Sequence, residues 1–213
     1  MALWSAWLPD VLPHVPNCPV PLVEHELKRS AQVLLEASRI WRIDLDPAAV
    51  PAATVMLSPV MDDPDEQELV RIESVLFDGK PLDLRTPEEL DAEAGDNWPS
   101  HTGVPTAYTL LSPGIVRLYP VPIDAATTGI EFRVSVKPAD TATGVPDEIR
   151  TKYKEALTAG AKSRLMLYKD KPWTDYNLAG VHASAFESGV AKATLDAARA
   201  FGRGRIPSRP KWC

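Results

Sequence analysis

Residues 145–201, VPDEIRTKYKEALTAGAKSRLMLYKDKPWTDYNLAGVHASAFESGVAKATLDAARAF, decide how this chain folds. Ile149, Tyr153, Leu157, Ala161, Leu165 and Tyr168 recur every three or four positions, the signature of one apolar helix face. Lys171-Pro172-Trp173 then interrupts, because proline lacks an amide hydrogen and fixes φ. A second periodic run follows, with Thr174 as its expected N-cap. Leu178, His182, Phe186, Val190, Ala193, Ala197 and Phe201 form its stripe, and Gly202 and Gly204 end it. Two long amphipathic helices separated by a short break favour an antiparallel helical hairpin. Ala159-Gly160-Ala161 is small enough to admit another helix at close range.

Upstream, VPLVEHELKRSAQVLLEASRIWR (residues 20–42) is a further helix. Val23, Leu27, Ala31, Leu34 and Trp41 make its apolar stripe, while Glu24, Lys28, Arg29 and Glu36 fall largely on the other faces. Pro21 suits a first turn. The proline-rich lead before it has room for only a short helix, Ala2 to Leu8.

Residues 44–138 change character to short segments rich in β-branched and aromatic residues. Asp78-Gly79, Pro113-Gly114 and Thr128-Gly129 are turn signals between them. LFDGKPL (76–82) reads as a hairpin closed by an Asp-Gly turn, and LLSPGIVRL (110–118) as a second hairpin. TPEELDAEAG (86–95) reads as a short helix with Thr86 as N-cap, Pro87 at its first position and Glu89 completing a capping box. The expected class is therefore α+β. A helical bundle, made of the N-terminal helix (1–43) and a C-terminal antiparallel hairpin (141–202), carries an inserted antiparallel β module (44–140). An extended arm (203–213) follows.

Composition narrows the function. The 213 residues are 45% apolar and 24% charged, ordinary for a globular chain and against wholesale disorder. No run approaches the roughly 20 apolar residues of a membrane span, and the first residues lack the basic and continuous apolar parts of a signal peptide. Cys18 and Cys213 are the only cysteines and sit near opposite ends, which argues against a disulfide framework and for a reducing compartment. A net charge of −6 makes a poor general DNA binder. The 21 prolines point to extended connectors and blunt strand ends.

Signals for chemistry are sparse. His14, His25, His101 and His182 show no metal-ligand spacing to one another or to cysteine. His182 lies on an apolar stripe and reads as a packed or interface histidine; His25 and His101 read as solvated. The acidic run MDDPDEQE (61–68) has Pro64 and no glycine, so it reads as a solvated loop rather than a cation loop. No phosphate-binding glycine loop or nucleophile elbow occurs. The expectation is no enzyme, no cofactor and no metal. A small metal-dependent or hydrolytic enzyme is one alternative, and a nucleic-acid-binding accessory protein using the basic tail is another.

That tail, RAFGRGRIPSRPKWC (199–213), follows the last acidic residue, Asp196. Arg199, Arg203, Arg205, Arg209 and Lys211 supply charge, and Phe201, Ile206 and Trp212 supply apolar anchors. Arginine and aromatics are the types that anchor interfaces. Trp4 and Trp7, near the other end, are candidate anchors for the same reason, whereas Trp41 and Trp173 read as core.

The order of these segments resembles the head-to-tail connector, or adaptor, proteins of tailed bacteriophages. LPDVLPHVPNCPVPLVEHELKRSAQVLLEASRIWR (8–42) resembles the family's proline-rich lead and helix ending in Trp. GIVRLYPVPID (114–124) and IEFRVSVKPAD (130–140) resemble its strand pair with a Tyr-Pro-x-Pro end, and residues 145–193 its closing helices with a Lys-Pro-Trp break. The resemblance implies a non-catalytic virion protein at the head–tail junction, assembled in the host cytoplasm. It implies a dodecameric ring that docks on the portal, extends the DNA channel without reading sequence, and offers a platform to a tail nozzle, stopper or tube. On that reading Arg203, Arg205, Arg209 and Lys211 pair with acidic portal groups while Ile206 and Trp212 fill apolar pockets. Pro207 and Pro210 stiffen the arm and lessen its ordering cost.

Overall fold

The computed structural model describes residues 1–112 and 114–199. In chain order the strands are β1 (Ala2–Leu3), β2 (Arg42–Asp44), β3 (Met56–Leu57), β4 (Gln67–Phe77), β5 (Lys80–Pro81), β6 (Asp83–Leu84), β7 (Thr102–Gly103), β8 (Ala107–Ser112), β9 (Ile115–Tyr119), β10 (Val121–Pro122), β11 (Ile130–Pro138) and β12 (Gly144–Val145). The helices are α1 (Leu8–Val11), α2 (Val20–Ser38), α3 (Pro87–Ala94), α4 (Asp147–Met166) and α5 (Tyr176–Ala198). The fold is mixed α+β. It divides into two units: one holds residues 1–41, 65–67 and 137 onward, the other residues 42–64 and 68–136.

The first unit is built on α2, α4 and α5. Val23, Leu27, Ala31 and Leu34 are all buried, as the 3.6-residue period requires. The helix stops earlier than its sequence pattern suggests. Arg39 adopts a left-handed conformation (φ 53°) and its amide caps Leu35, so Trp41 packs as part of the chain leaving the helix. In α4, Ile149, Tyr153, Leu157, Ala161 and Leu165 form the buried face. Small residues set how closely the helices meet. A Cβ added at Gly160 would lie 2.8 Å from both Phe186 and Ser30, and one added at Gly189 would lie 2.3 Å from the Cβ of Ala156.

The stripe of α2 also carries polar residues that the periodicity passes over. Glu26 and Ser30 sit three and seven positions after Val23, so they share its buried face. Glu26 is only 1% exposed. Tyr168 donates its hydroxyl to Glu26 Oε1 at 3.0 Å, and Arg29 stands 3.5 Å from the same oxygen. Burial first, then the hydrogen bond to Glu26, pushes the Tyr168 phenol upward. Glu26 Oε2 has no hydrogen-bond partner among the described residues.

The N-terminal lead departs from the expected short helix over Ala2–Leu8. It begins as β1, paired antiparallel with β12, passes through a 3-10 turn at Trp4–Trp7, and becomes the single turn of α1. Prolines at 9, 13, 16 and 19 remove the donors that a longer helix needs. Side chains from α4 hold this lead: Arg150 donates to the Ala6 carbonyl at 3.1 Å, and Lys154 pairs with Asp10 at 2.8 Å. Glu66, from the acidic run, accepts from the amide and hydroxyl of Thr143, so part of that run is a structural tie rather than free loop.

The second unit contains two four-stranded sheets, ordered β2-β11-β4-β5 and β3-β9-β8-β6. The Asp78-Gly79 turn joins β4 to β5 with both residues at positive φ (49° and 72°), the type I′ geometry that suits strand twist. β8 and β9 form the second expected hairpin, with an irregularity between Leu110 and Ser112. The capping box of α3 forms as read: Thr86 accepts from the Glu89 amide and Glu89 accepts from the Thr86 amide. The module is not wholly antiparallel, however. β6–β8 and β7–β10 pair in parallel, each over two residues, because neither pair is joined by a tight hairpin: the chain passes through α3 and its following turn between β6 and β8, and through the β8–β9 hairpin between β7 and β10. Across β2 and β11, Arg133 reaches Asp44 with two nitrogens, at 2.6 and 3.0 Å, and that hydrogen bonding holds the Asp44 carboxyl below its ordinary value. Trp98 is buried, donating to Asp91 Oδ1 at 2.7 Å with Arg117 5.0 Å above its ring.

Candidate docking surface

Trp4 and Trp7 do not present anchors to a partner. Trp7 is fully buried, Trp4 is 6% exposed, and their rings sit 5.6 Å apart in the core of the first unit. Trp4 donates its indole N–H to the Ala142 carbonyl at 2.8 Å. The proline-rich lead spends its two largest apolar side chains on the core of its own unit, together with Val11 and Val15, which are also fully buried. Arg199 is exposed and caps the end of α5. The expected anchors Phe201, Arg203, Arg205, Ile206, Arg209, Lys211 and Trp212 lie outside the described residues.

Four exposed large apolar side chains of the first unit share one helix, α5. This helix starts at Asp175, whose carboxylate accepts from the amides of Asn177 and Leu178, both at 3.0 Å. The expected cap, Thr174, instead closes the preceding turn, accepting from the Lys171 amide and donating to the Tyr168 carbonyl. Aspartate wins because its carboxylate reaches two orphan amides with full charge at the positive end of the helix.

Of the 23 residues of α5, three are fully buried, and all three are alanines: Ala179, Ala193 and Ala197. The close approach at Gly189 and Gly160 is possible because the face turned to α4 is narrow. The opposite side keeps its larger groups in solvent. Val181 is 64% exposed and Tyr176 59% exposed, and Leu178 and Leu195 are exposed as well. Leu178 was expected in the buried stripe; the small residues beside it make the contact instead.

Leu178, Val181, Ala185, Ser188, Ala191 and Leu195 follow one another three or four residues apart, all exposed. Residues 176–186 carry no formal charge. A helical stripe whose first three turns are uncharged, with Lys192 entering the same face further on, suits burial against another helix. Beside it, a shallow groove of about 250 Å³ runs between Lys152, Ala156, Ala185 and Lys192. At its far end Asp196 accepts from Lys152 (3.0 Å) and from the Tyr153 hydroxyl (2.8 Å); these bonds, Lys152 first, hold its carboxyl below the usual range.

No set of three or more His, Cys, Asp or Glu side chains among the described residues is grouped to hold a metal ion. Among the same residues no helix is long and apolar enough to cross a membrane. Cys18 is a free, buried thiol whose pKa burial raises.

The model of the SU10 adaptor protein family matches residues 22–207, from early in α2 to beyond the end of α5. No curated protein sequence matches the chain significantly.

Proposed function

Because the chain belongs to the SU10 adaptor protein family and so is a phage structural adaptor, we propose that it works as a head-to-tail connector. In this reading copies of the chain form a ring, a dodecamer, at the head–tail junction. The ring docks on the portal, extends the DNA channel, and gives the tail nozzle, stopper or tube its platform. The α2, α4 and α5 helices act as one bundle, with α4 and α5 as an antiparallel hairpin. Support for that comes from contacts that step in opposite directions along the pair: Ala156 with Gly189, Gly160 with Phe186, Tyr153 with Asp196.

The observation that carries the reading is the exposed apolar face of α5, uncharged over residues 176–186. In a lone molecule it leaves apolar surface in water. Burying a Leu or Val side chain fully is worth roughly 1.5–3 kcal/mol, so Leu178, Val181 and Leu195 together favour assembly by several kcal/mol. The occupant of this face is a second copy of the chain. Arg199 and the cations beyond it reach acidic groups of the portal. DNA passes through the lumen without base-specific contact. Assembly takes place in the host cytoplasm, and no membrane is involved.

Particle images of the protein mixed with portal rings test this directly, with rings stacked coaxially on the portal as the expected result. A chain with Leu178→Lys and Val181→Glu should stay folded by circular dichroism and fail to form rings. Deleting residues 201–213 should leave the monomer folded and abolish co-sedimentation with portal. Rings from the double variant reject the α5 interface; unchanged portal binding after truncation rejects the role of the tail; no association with portal by the intact chain rejects the connector reading.

A further inference from the structure

Lys154, Thr158 and Lys162 are spaced four residues apart on α4 and so share one face. That face meets the N-terminal lead, and with Asp10 and His14 it lines a hollow of about 430 Å³. The two lysines are in different situations. Lys154 is half-exposed and paired with Asp10 at 2.8 Å. Lys162 is 9% exposed, and its ammonium makes no hydrogen bond or ion pair among the described residues. Asp10 attracts it only at a distance, being already committed to Lys154.

The stem of Lys162 is buried while its ammonium opens onto the hollow, where it has water and no carboxylate of its own. His182, from α5, stands close by. Its ring lies 6.1 Å from that of His14, edge to face, and its Nε2 is buried without a partner among the described residues. Burial first, then Lys162 and His14, opposes protonation of His182. The two carboxylates that line the hollow, Asp10 and Glu155, do not pair with the Lys162 ammonium. Asp10 is spent on Lys154, and Glu155 is exposed at the rim. Thr158 donates its own proton to the Glu155 carbonyl. What remains facing the hollow is the Lys162 ammonium without a carboxylate of its own.

We propose that this hollow is an oxyanion site, in which Lys162, with His14 at the mouth, binds one carboxylate or phosphate group, and His182 senses it through its contact with His14. The hollow is roomy enough for either group and too polar to favour an apolar one. The ligand supplies the charge that Lys162 lacks. Its presence also pulls the His182 pKa back upward, since a nearby anion favours the charged imidazole. The site is separate from the exposed face of α5, and its existence does not depend on ring formation or portal binding.

The test follows the imidazole proton resonances of His14 and His182 in the full chain, assigned with His182→Gln. Inorganic phosphate and acetate are titrated separately near pH 6 at constant ionic strength. Saturable shifts with an apparent Kd on the order of 1–10 mM, and a rise in the His182 pKa, are expected. Saturation by phosphate alone identifies the ligand class as phosphate, and saturation by acetate alone as a carboxylate such as an acidic side chain. Lys162→Met keeps the apolar stem and removes the charge; it should weaken binding by about tenfold or more. Linear, non-saturating shifts with both ions overturn the proposal, as does unchanged affinity in a folded Lys162→Met chain. The wild-type titration decides the matter even if that variant fails to fold.

Discussion

Two glycines in one helix should respond in opposite directions to the same substitution. Gly180 and Gly189 both lie inside α5, and in a helix interior glycine is about 1 kcal/mol worse than alanine. A Cβ at Gly180 meets nothing within 4 Å, so Gly180→Ala should simply recover that difference and stabilise the chain by about 1 kcal/mol. A Cβ at Gly189 falls 2.3 Å from the Cβ of Ala156, and 3.3 Å from that residue's Cα. Ordinary carbon contacts sit near 3.5–4.0 Å, so α4 and α5 must part by roughly an ångström. Overpacking of this sort costs about 1–3 kcal/mol. Set against the propensity gain, Gly189→Ala should come out near neutral to destabilising by about 2 kcal/mol. The gap between the two variants, about 1–3 kcal/mol, isolates the packing of α5 on α4, because the propensity gain is common to both. Urea unfolding of each variant, read by far-ultraviolet circular dichroism at a concentration where the chain is monomeric, measures that gap. Equal stabilisation by both substitutions would refute the close approach of α5 to α4 and, with it, the argument that small residues there leave the larger ones exposed.

Other outcomes follow from single contacts. Tyr168→Phe removes the donor to buried Glu26, and urea unfolding should show a loss of about 1.5–3 kcal/mol, the range for a hydrogen bond to a charged group. Thr86→Ala removes one half of the capping box on α3 and should cost about 1 kcal/mol, visible in the unfolding of the second unit. The pH dependence of stability should include a contribution from His182, whose pKa burial lowers below 6.5. Below that value the unfolded chain takes up a proton that the folded chain resists, so stability falls as pH drops from 7 towards 5. His182→Gln should flatten that part of the profile in urea midpoints taken across the range; an unchanged slope would show that His182 is freely protonated in the folded chain.

What the sequence settled by itself was local. The periodicity of Val23, Leu27, Ala31 and Leu34 marks α2, Asp78-Gly79 marks a tight turn, and Thr86 with Glu89 marks a cap, because each signal acts within four residues of itself. Tertiary structure decided which neighbours compete for the same role. Asp175 displaces Thr174 as cap once Thr174 closes the turn before it, and Trp4 and Trp7 go inside, with Val11 and Val15, because the proline-rich lead packs back onto the core of its own unit. Glu26, Ser30 and Lys162 sit at buried helical positions that a hydrophobicity pattern reads as interruptions. Their burial depends on Tyr168, Gly160 and His14, residues far along the chain or on another element, and no period of 2 or 3.6 residues carries that information. The exposed face of α5 was hidden for the same reason. Its apolar positions are periodic, but only the close approach at Gly160 and Gly189 determines which of them a single molecule can bury.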